Sequence, residues 1–580
     1  MNKTFFAFLL LLFTIPLASA QSVSIGDYST VVDSEVIVPI DISEAESIAG
    51  GVVNVSFNSS IVSVENVAAG DFGTPVPNVN NESGWIKLVA ARFDAVNKTE
   101  AVLANIVFRG VSAGTTDLII VYASLNNETG GLLTPTISNG AIAVNQAYTP
   151  HTITVNSSGG ADYTSIQAAI DAANHGDTVE VYSGTYYETV KINKRITLHG
   201  ISNDADMPVI DAGGSGNVVE VLNDGVILAG FKIQNGYTGI YIVSKNNRIS
   251  NNIITSIVGK AGKNEVRGNP GGAGSDAFGI YLSDSTNNTL LHNSISYITG
   301  GRGGTGGNGW GWGDRSGSGG TGGISAGIYV ANSTNNSVMC NTVSNITGGN
   351  GGNAGIGTTG GAGGAGNTGT GIYLLTGSYG NDLQDNTISY IAGGDGGGGG
   401  TLGSTGGDGG MAVGGYLLNS DDNTATGNSI FNTSGGAGGL RYGNRGADGV
   451  ALGVYLSFSS DNLLYLNYIS NNTNYDAYDD DINQWDNGSV GKYYSNYNGT
   501  DPDNDGIGDT PYPIPPSGSS MDRYPLMQPW EEEEPIIVPI HDLTASIGST
   551  WINWTWKTPA DGVFNHTMVY IDTVFTINTS

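Results

Sequence analysis

The run DPDNDGIGD places Asp501, Asp503, Asp505 and Asp509 at positions 1, 3, 5 and 9 of a twelve-residue loop, with Gly506 sixth and Ile507 offering a main-chain carbonyl seventh. Oxygen ligands at those intervals suit a calcium ion, and the glycine supplies the sharp turn. Four carboxylates this close repel one another strongly unless a cation lies between them. The twelfth position, where a bidentate glutamate would close the shell, is Tyr512, so the closing ligand must come from elsewhere, with Asp522 a candidate. Calcium is therefore the expected structural cofactor. Copper is not expected, because it needs soft or imidazole ligands in a cluster, and His151, His175, His199, His292, His541 and His566 are scattered while Met339 and Cys340 are adjacent.

A second acidic set is Asp421, Asp422 and Asp461. Asp422 and Asp461 occupy the same position in successive repeats, which in a stacked fold sets carboxylates about 5 Å apart, near the separation of retaining glycosidases. Arg441 or Arg445 could supply the base of a lyase. Other repeats hold Asn246, Asn287, Asn335 and Gly380 at that position, which reads as a plain turn. Catalysis on this surface is thus the alternative reading.

The repeats themselves start at Gly239, Gly279, Gly327, Gly371, Gly414 and Gly453, as GIYI, GIYL, GIYV, GIYL, GGYL and GVYL. Each then carries two asparagines five residues apart: Asn247 and Asn252, Asn288 and Asn293, Asn336 and Asn341, Asn381 and Asn386, Asn423 and Asn428, Asn462 and Asn467. A fixed interval inside a variable period means a constant structural rung plus a variable excursion. A rung of about 20 residues is one coil of a parallel β-helix, in which equivalent positions lie about 4.8 Å apart. The asparagines are expected to stack as a structural ladder, because their amides can donate upward and accept from below and they tolerate left-handed turns. Ile280, Leu290 and Ile295 are expected inside. Ahead of the repeats, Thr164 with Gln167 reads as a capping box opening a helix that lids the solenoid.

After each rung comes a glycine run, such as TGGNGGNAGIGTTGGAGGAGNTG, and Gly reaches 91 of 580 residues against a usual ~7%. All runs leave the coil at one point. Two readings stay open: linker-like loops, or stacked backbones packed where side chains are missing.

Met1–Ala20 reads as a cleaved secretory signal, an apolar run after Lys3 with an Ala-Ser-Ala ending. A secreted, extracellular and cell-surface location follows, and no later stretch is long enough to span a bilayer. The formal net charge of −31 argues against nucleic acid and anionic lipid as partners. Cys340 is the only cysteine, so internal disulfides are excluded. Sequons at Asn54, Asn97, Asn127, Asn287, Asn335, Asn432, Asn498 and Asn565 suggest a glycosylated surface.

Residues 22–146 alternate in SEVIVPIDI, GGVVNVSF, WIKLVAARF and TDLIIVYASL between Gly and Asn turns, the pattern of an antiparallel β-sandwich. In the order VSIGDYSTVVDSEVIVPIDISEA, GVVNVSFNSSIVSVENVAAGDF, ANIVFRGVSAGTTDLIIV and NGAIAV, this stretch resembles a cohesin module. That resemblance implies a face that binds dockerin-bearing proteins. Residues 152–527 resemble the pectin-lyase-like right-handed β-helices, and are most similar to the NosD-type branch common in methanogen surface proteins. NQWDNGSVGKYYSNYNGTDPDNDGIGDTPYPI and DRYPLM carry the likeness, with residues 485–527 forming an acidic calcium cap. An acidic, Pro-flanked linker follows at 528–540. Residues 541–580, with Ile552, Trp554 and Trp556 on one face, read as part of a fibronectin-like β module. The all-β chain is thus expected to be a non-catalytic modular protein for adhesion, envelope or matrix organisation, with glycans or a dockerin-bearing protein as partners. The alternative is a polysaccharide lyase or glycoside hydrolase.

Overall fold

The computed structural model describes residues 21–529 except 97, 147, 203–205, 311–313, 402, 442–443 and 517–519, together with the backbone of His541–Ile547 and Ile552–Lys557. The signal segment and nearly all of the linker lie outside the described residues. Of the C-terminal module, the two strands just named pair antiparallel, and the remainder lies outside them.

The chain divides into Met1–Thr149 and Pro150–Ser580. In the first unit, alternating apolar residues make two sheets. One runs Thr136–Ser138, Ser22–Ser24, Glu35–Ser43, Glu100–Gly110, Val62–Ala69 in spatial order. The other runs Tyr28–Val31, Gly140–Asn145, Gly114–Asn127, Ile48–Ser56, Trp85–Ala91, Val76–Asn80. One face of each supplies a shared core that includes Val38, Ile40, Val53, Ile86, Leu103 and Phe108. In Trp85–Ala91 the period of two is strict: Ile86, Leu88 and Ala90 are buried, and Trp85, Lys87, Val89 and Ala91 face out.

The second unit is a parallel β-helix. Each coil gives one strand to each of three stacks, two of ten strands and one of nine. The interior is a set of columns, one of them Leu198, Leu228, Ile249, Leu290, Val338, Leu383, Ala425 and Leu464. In another, Ile240, Ile280, Ile328 and Ile372 are followed by Gly415 and then Val454.

The first glycine of each repeat has a steric cause. A Cβ on Gly239, Gly279, Gly327, Gly371, Gly414 or Gly453 would lie 2.3–2.6 Å from an Ile or Val methyl of the neighbouring stack, where real Cβ atoms are not found. The repeated tyrosine stands on the opposite side of the strand, and Tyr241, Tyr281, Tyr329, Tyr373, Tyr416, Tyr455 and Tyr478 form a continuous column with ring centroids 4.7–5.3 Å apart. Burial and their like neighbours push the Tyr329 and Tyr416 hydroxyls up to about 12.

The lid helix is Ile166–Ala172, and its N-cap is Ser165 rather than Thr164. Ser165 Oγ accepts from the Ala168 amide, while Glu188, from a later coil, takes the amides of Ile166 and Gln167 at 2.8 and 3.0 Å. A distant carboxylate thus replaces the local capping glutamine. Gln167 instead bonds Asp171 and the Lys191 backbone.

The glycine excursions are ordered. Each leaves as one extended segment and returns as a second, and neighbouring segments bond with a period of three. On the outgoing side Gly300, Gly303 and Gly306 donate to Thr347, Asn350 and Asn353 of the next excursion at 2.8–3.0 Å. On the return side Gly319 and Gly322 donate to Ala362 and Ala365. Between the two layers Gly320 donates to Gly304 and Gly323 to Gly301. Three residues per turn is the repeat of a polyproline II-type helix, and two glycines of each triplet face other backbones. A Cβ on Gly320 would sit 1.9 Å from the Gly272 carbonyl oxygen. The third residue faces out, and there Asn and Asp side chains reach to the next segment: Asn264 accepts from Thr305, Asn308 from Ile356, Asn350 from Asp395 and Asp395 from Ala437, all at 2.8 Å.

Candidate functional site

The asparagine columns form two continuous hydrogen-bonded ladders. Asn288 Oδ1 accepts both the main-chain amide and Nδ2 of Asn247, at 3.0 and 2.8 Å, and Asn288 Nδ2 donates to the Ser244 carbonyl and to Asn336. The same arrangement repeats through Asn381, Asn423 and Asn462, and in the second column from Asn252 through Asn293, Asn341, Asn386 and Asn428 to Asn467. All twelve are at most 3% exposed. The left-handed conformation, expected at the asparagines, falls instead on the residue before each. Examples are Asn246, Asn287, Asn335, Gly380, Asp422 and Asp461, with φ of 55–66°. The turn must be made one residue early so that the asparagine side chain points inward. Asn483 extends the first column, accepting from Asn462. It lies outside the repeat, but its spacing of 21 from Asn462 equals one bare rung.

The acidic set on the coil surface sits at this turn. Asp422 and Asp461 are exposed and left-handed. Asp421 Oδ1 accepts the Ser460 amide at 2.8 Å, which ties one coil to the next. Arg445 pairs with Asp448. Arg441 reaches back to the Ala354 carbonyl at 3.4 Å.

In the acidic loop, carboxylate oxygens of Asp501, Asp503 and Asp505 lie within 4.8 Å of one another, the one such His, Cys, Asp or Glu group among the described residues. Asp501 accepts the Asp505 and Gly506 amides at 3.2 and 3.0 Å, and Asp505 accepts that of Ile507 at 2.8 Å. The turn is made by Asn504 and Gly506, both left-handed. Asp503 is held above the usual carboxylate range by its hydrogen bond with Asp501 and by the charge of Asp505. Asp509 stands outside this trio; its amide donates to the Thr500 carbonyl. The loop docks on residues 525–527, with Gly508 donating to Pro525 and Met527 to Gly506.

Asp522 does not close the loop. It is buried at the base of the cap, where it accepts the Lys492 and Tyr524 amides and lies 3.4 Å from Lys492 Nζ. Lys492, fully buried, also donates to the Leu464 and Trp485 carbonyls. Burial pushes its ammonium down to about 8 although Asp522 pulls the other way. Beside it Arg523 Nε meets Asp486 at 3.0 Å, and Trp485 Nε1 donates to Asp479 at 2.8 Å. Tyr494 stacks on Tyr512 at 4.0 Å. Sequence reasoning missed this buried Lys and Asp pair, since nothing in a lone Lys marks it as interior.

On the sandwich, strand register places Val76, Val89 and Val52 in one outward row, and Trp85, Ser56 and Ile119 in another. Tyr122 stands between the rows, opposite Asn54, with Val121 beside it. Val76, Trp85, Val89, Ile119, Val121 and Tyr122 are exposed.

Residues 313–499 match the family described as "Periplasmic copper-binding protein (NosD)". No curated protein matches the chain. Among solved structures, it is similar to a non-cellulosomal cohesin from the hyperthermophilic archaeon Archaeoglobus fulgidus, at 17% identity over 22% of this chain and 92% of that one, TM-score 0.20. It is also similar to the seventh ScaB type I cohesin from Pseudobacteroides cellulosolvens, at 21% identity over 22% and 95%, TM-score 0.20. The β-helix is therefore NosD-like over residues 313–499.

Proposed function

We propose that the protein is a non-catalytic modular scaffold acting outside the cytoplasm, at the cell surface or in a periplasm. Its sandwich takes a dockerin-type protein partner, and its solenoid presents a stiff surface to glycans. The observation that carries this reading is the exposed apolar face around Trp85, Val89 and Tyr122. Large aromatic and aliphatic residues gathered on a flat sheet are what protein partners anchor on. Among the described residues no helix is long and apolar enough to cross a membrane.

The acidic loop takes calcium, its carboxylates being the hard donors that this ion prefers. The matched family's description names copper, and softer donors do not converge among the described residues.

Pull-down of calcium-loaded dockerin proteins on the full chain tests the partner. Retention that Trp85→Ala and Tyr122→Ala abolish supports the reading, and no retention by any dockerin overturns it. Incubation with acidic and neutral polysaccharides tests the alternative: turnover that disappears in Asp422→Ala would establish an enzyme.

A further inference from the structure

The tips of the first two glycine excursions enclose an open cavity of about 470 Å³, lined by Arg267, Asn308, Trp310, Asp314 and Arg315. Its walls are held by the glycine bundle. Gly309 donates to the Ile356 carbonyl at 2.9 Å, and Arg315 pairs with Thr359 of the next excursion. Gly268 packs under Arg315, whose carbonyl oxygen would lie 2.6 Å from a Cβ there. Three features of the lining suit a ligand. Trp310 is 83% exposed and makes no ring or cation contact among the described residues. Arg92, Arg109, Arg445 and Arg523 pair with aspartates, whereas the guanidiniums of Arg267 and Arg315, like those of Arg195, Arg248 and Arg302, have no ion pair or hydrogen bond among the described residues. Asn308 has its Oδ1 occupied by the Ile356 amide, which fixes the flip of its amide and leaves the NH2 to donate. Two guanidiniums against one carboxylate make the lining net positive on a chain of formal charge −31.

We propose that this cavity binds a carboxylate-bearing sugar unit of an acidic polysaccharide. The indole offers a flat apolar platform for the C–H face of a sugar ring. The planar guanidiniums match a carboxylate bidentately, which a lysine could not do. Asn308 and Asp314 serve ring hydroxyls as donor and acceptor. The volume falls in the range of about 300–1,000 Å³ common to small-ligand sites. A strongly acidic protein repels a polyuronate over most of its surface, so a pair of arginines in one cavity selects as well as attracts. The inference rests on the glycan-binding part of the proposed function and adds the sugar class and its place.

Calorimetric titration of the full chain with trigalacturonate tests it, using the carboxyl-reduced neutral trimer and inorganic sulfate as comparators. Saturable binding is expected, at least about tenfold tighter than to the neutral trimer and weakening with salt. Arg267→Gln with Arg315→Gln, and Trp310→Ala separately, should each lower affinity by about tenfold or more without moving the melting temperature, since these side chains are exposed. No binding of trigalacturonate overturns the proposal, as does equal affinity for the neutral trimer. Full competition by sulfate at the same concentration would reduce the cavity to an anion site and overturn it too. Binding unchanged in both variants would remove the sugar from this cavity while leaving glycan binding elsewhere on the molecule intact.

Discussion

At the scale of single residues, two neighbours in one turn separate structure from chemistry. Asn423 is buried in the ladder and bonds Asn381 above and Asn462 below. Removing its amide in Asn423→Ala strands several buried donors and acceptors at about 1–3 kcal/mol each, so a loss of about 2–5 kcal/mol is expected in urea unfolding. Asp422, one residue earlier, is exposed at φ 55°, a conformation that glycine adopts freely. Asp422→Gly should leave stability within about 0.5 kcal/mol. The five-residue spacing of the asparagines was legible because a stacked fold repeats each position in every coil. Which of two adjacent residues takes the left-handed turn was not, since Asn246, Asn251, Asn287 and Asn335 stand directly before ladder asparagines and asparagine tolerates that turn at either place. A third residue, Arg523, sets a pH dependence. Burial alone would raise Asp486, but hydrogen bonds from Arg523 and from the Gly488 amide outweigh it and hold the carboxyl below its ordinary 3.8. The unfolded chain therefore binds this proton more readily than the folded one. The stability it contributes is present above the unfolded value and is lost as pH falls through the folded one. Arg523→Gln should move acid unfolding of the cap to higher pH, read by tryptophan fluorescence.

At the scale of elements, the glycine excursions show what composition conceals. Glycine-rich runs read as flexible linkers when counted, whereas the recurring GGx triplet states a period of three and hence two backbone-facing positions per turn. Gly320→Ala should disrupt the bundle, because its Cβ would meet the Gly272 carbonyl. Thr321→Ala, at the outward third position, should be silent. Amide exchange at Gly304 and Gly352 would register the difference, rising in the first variant alone. Inside the coils the opposite substitution should help. Gly415 stands where the coils on either side place Ile372 and Val454, and a Cβ there would have no neighbour nearer than 3.8 Å. A small cavity lies against it, bounded in part by Ala425 and Ile430. Gly415→Ala lowers the chain's unfolded entropy by about 0.4–1 kcal/mol and adds buried surface, so the melting temperature should rise. A fall would mean that the strand needs glycine for its backbone path.

At the scale of the whole molecule, a solenoid is only as cooperative as its ends are closed, because each coil is supported by its neighbours alone. The N-terminal end of the β-helix is closed by packing and hydrogen bonds that need no ion: the helix Ile166–Ala172 buries Ile166, Ala169 and Ile170 and is capped by Glu188. The C-terminal end is closed by Trp485, Tyr494 and Ile514, which are fully buried in the same core, and over them lies a loop that brings three aspartates together. Without a cation their repulsion opposes the turn that lets Gly506 and Gly508 bond Met527 and Pro525. A calcium ion that binds only the folded loop would stabilise it by RT ln(1 + [L]/Kd), about 2.7 kcal/mol at a hundredfold excess over Kd. Chelation should therefore lower the melting temperature, and Asp503→Ala should do so with calcium present. Loss of protection in hydrogen exchange should begin in Tyr475–Asp479 and Tyr493–Tyr494 and reach Thr178–Tyr182 last. Equal protection at both ends, with and without chelator, would show that the acidic loop is a solvated turn and that the aromatic cap closes the solenoid unaided.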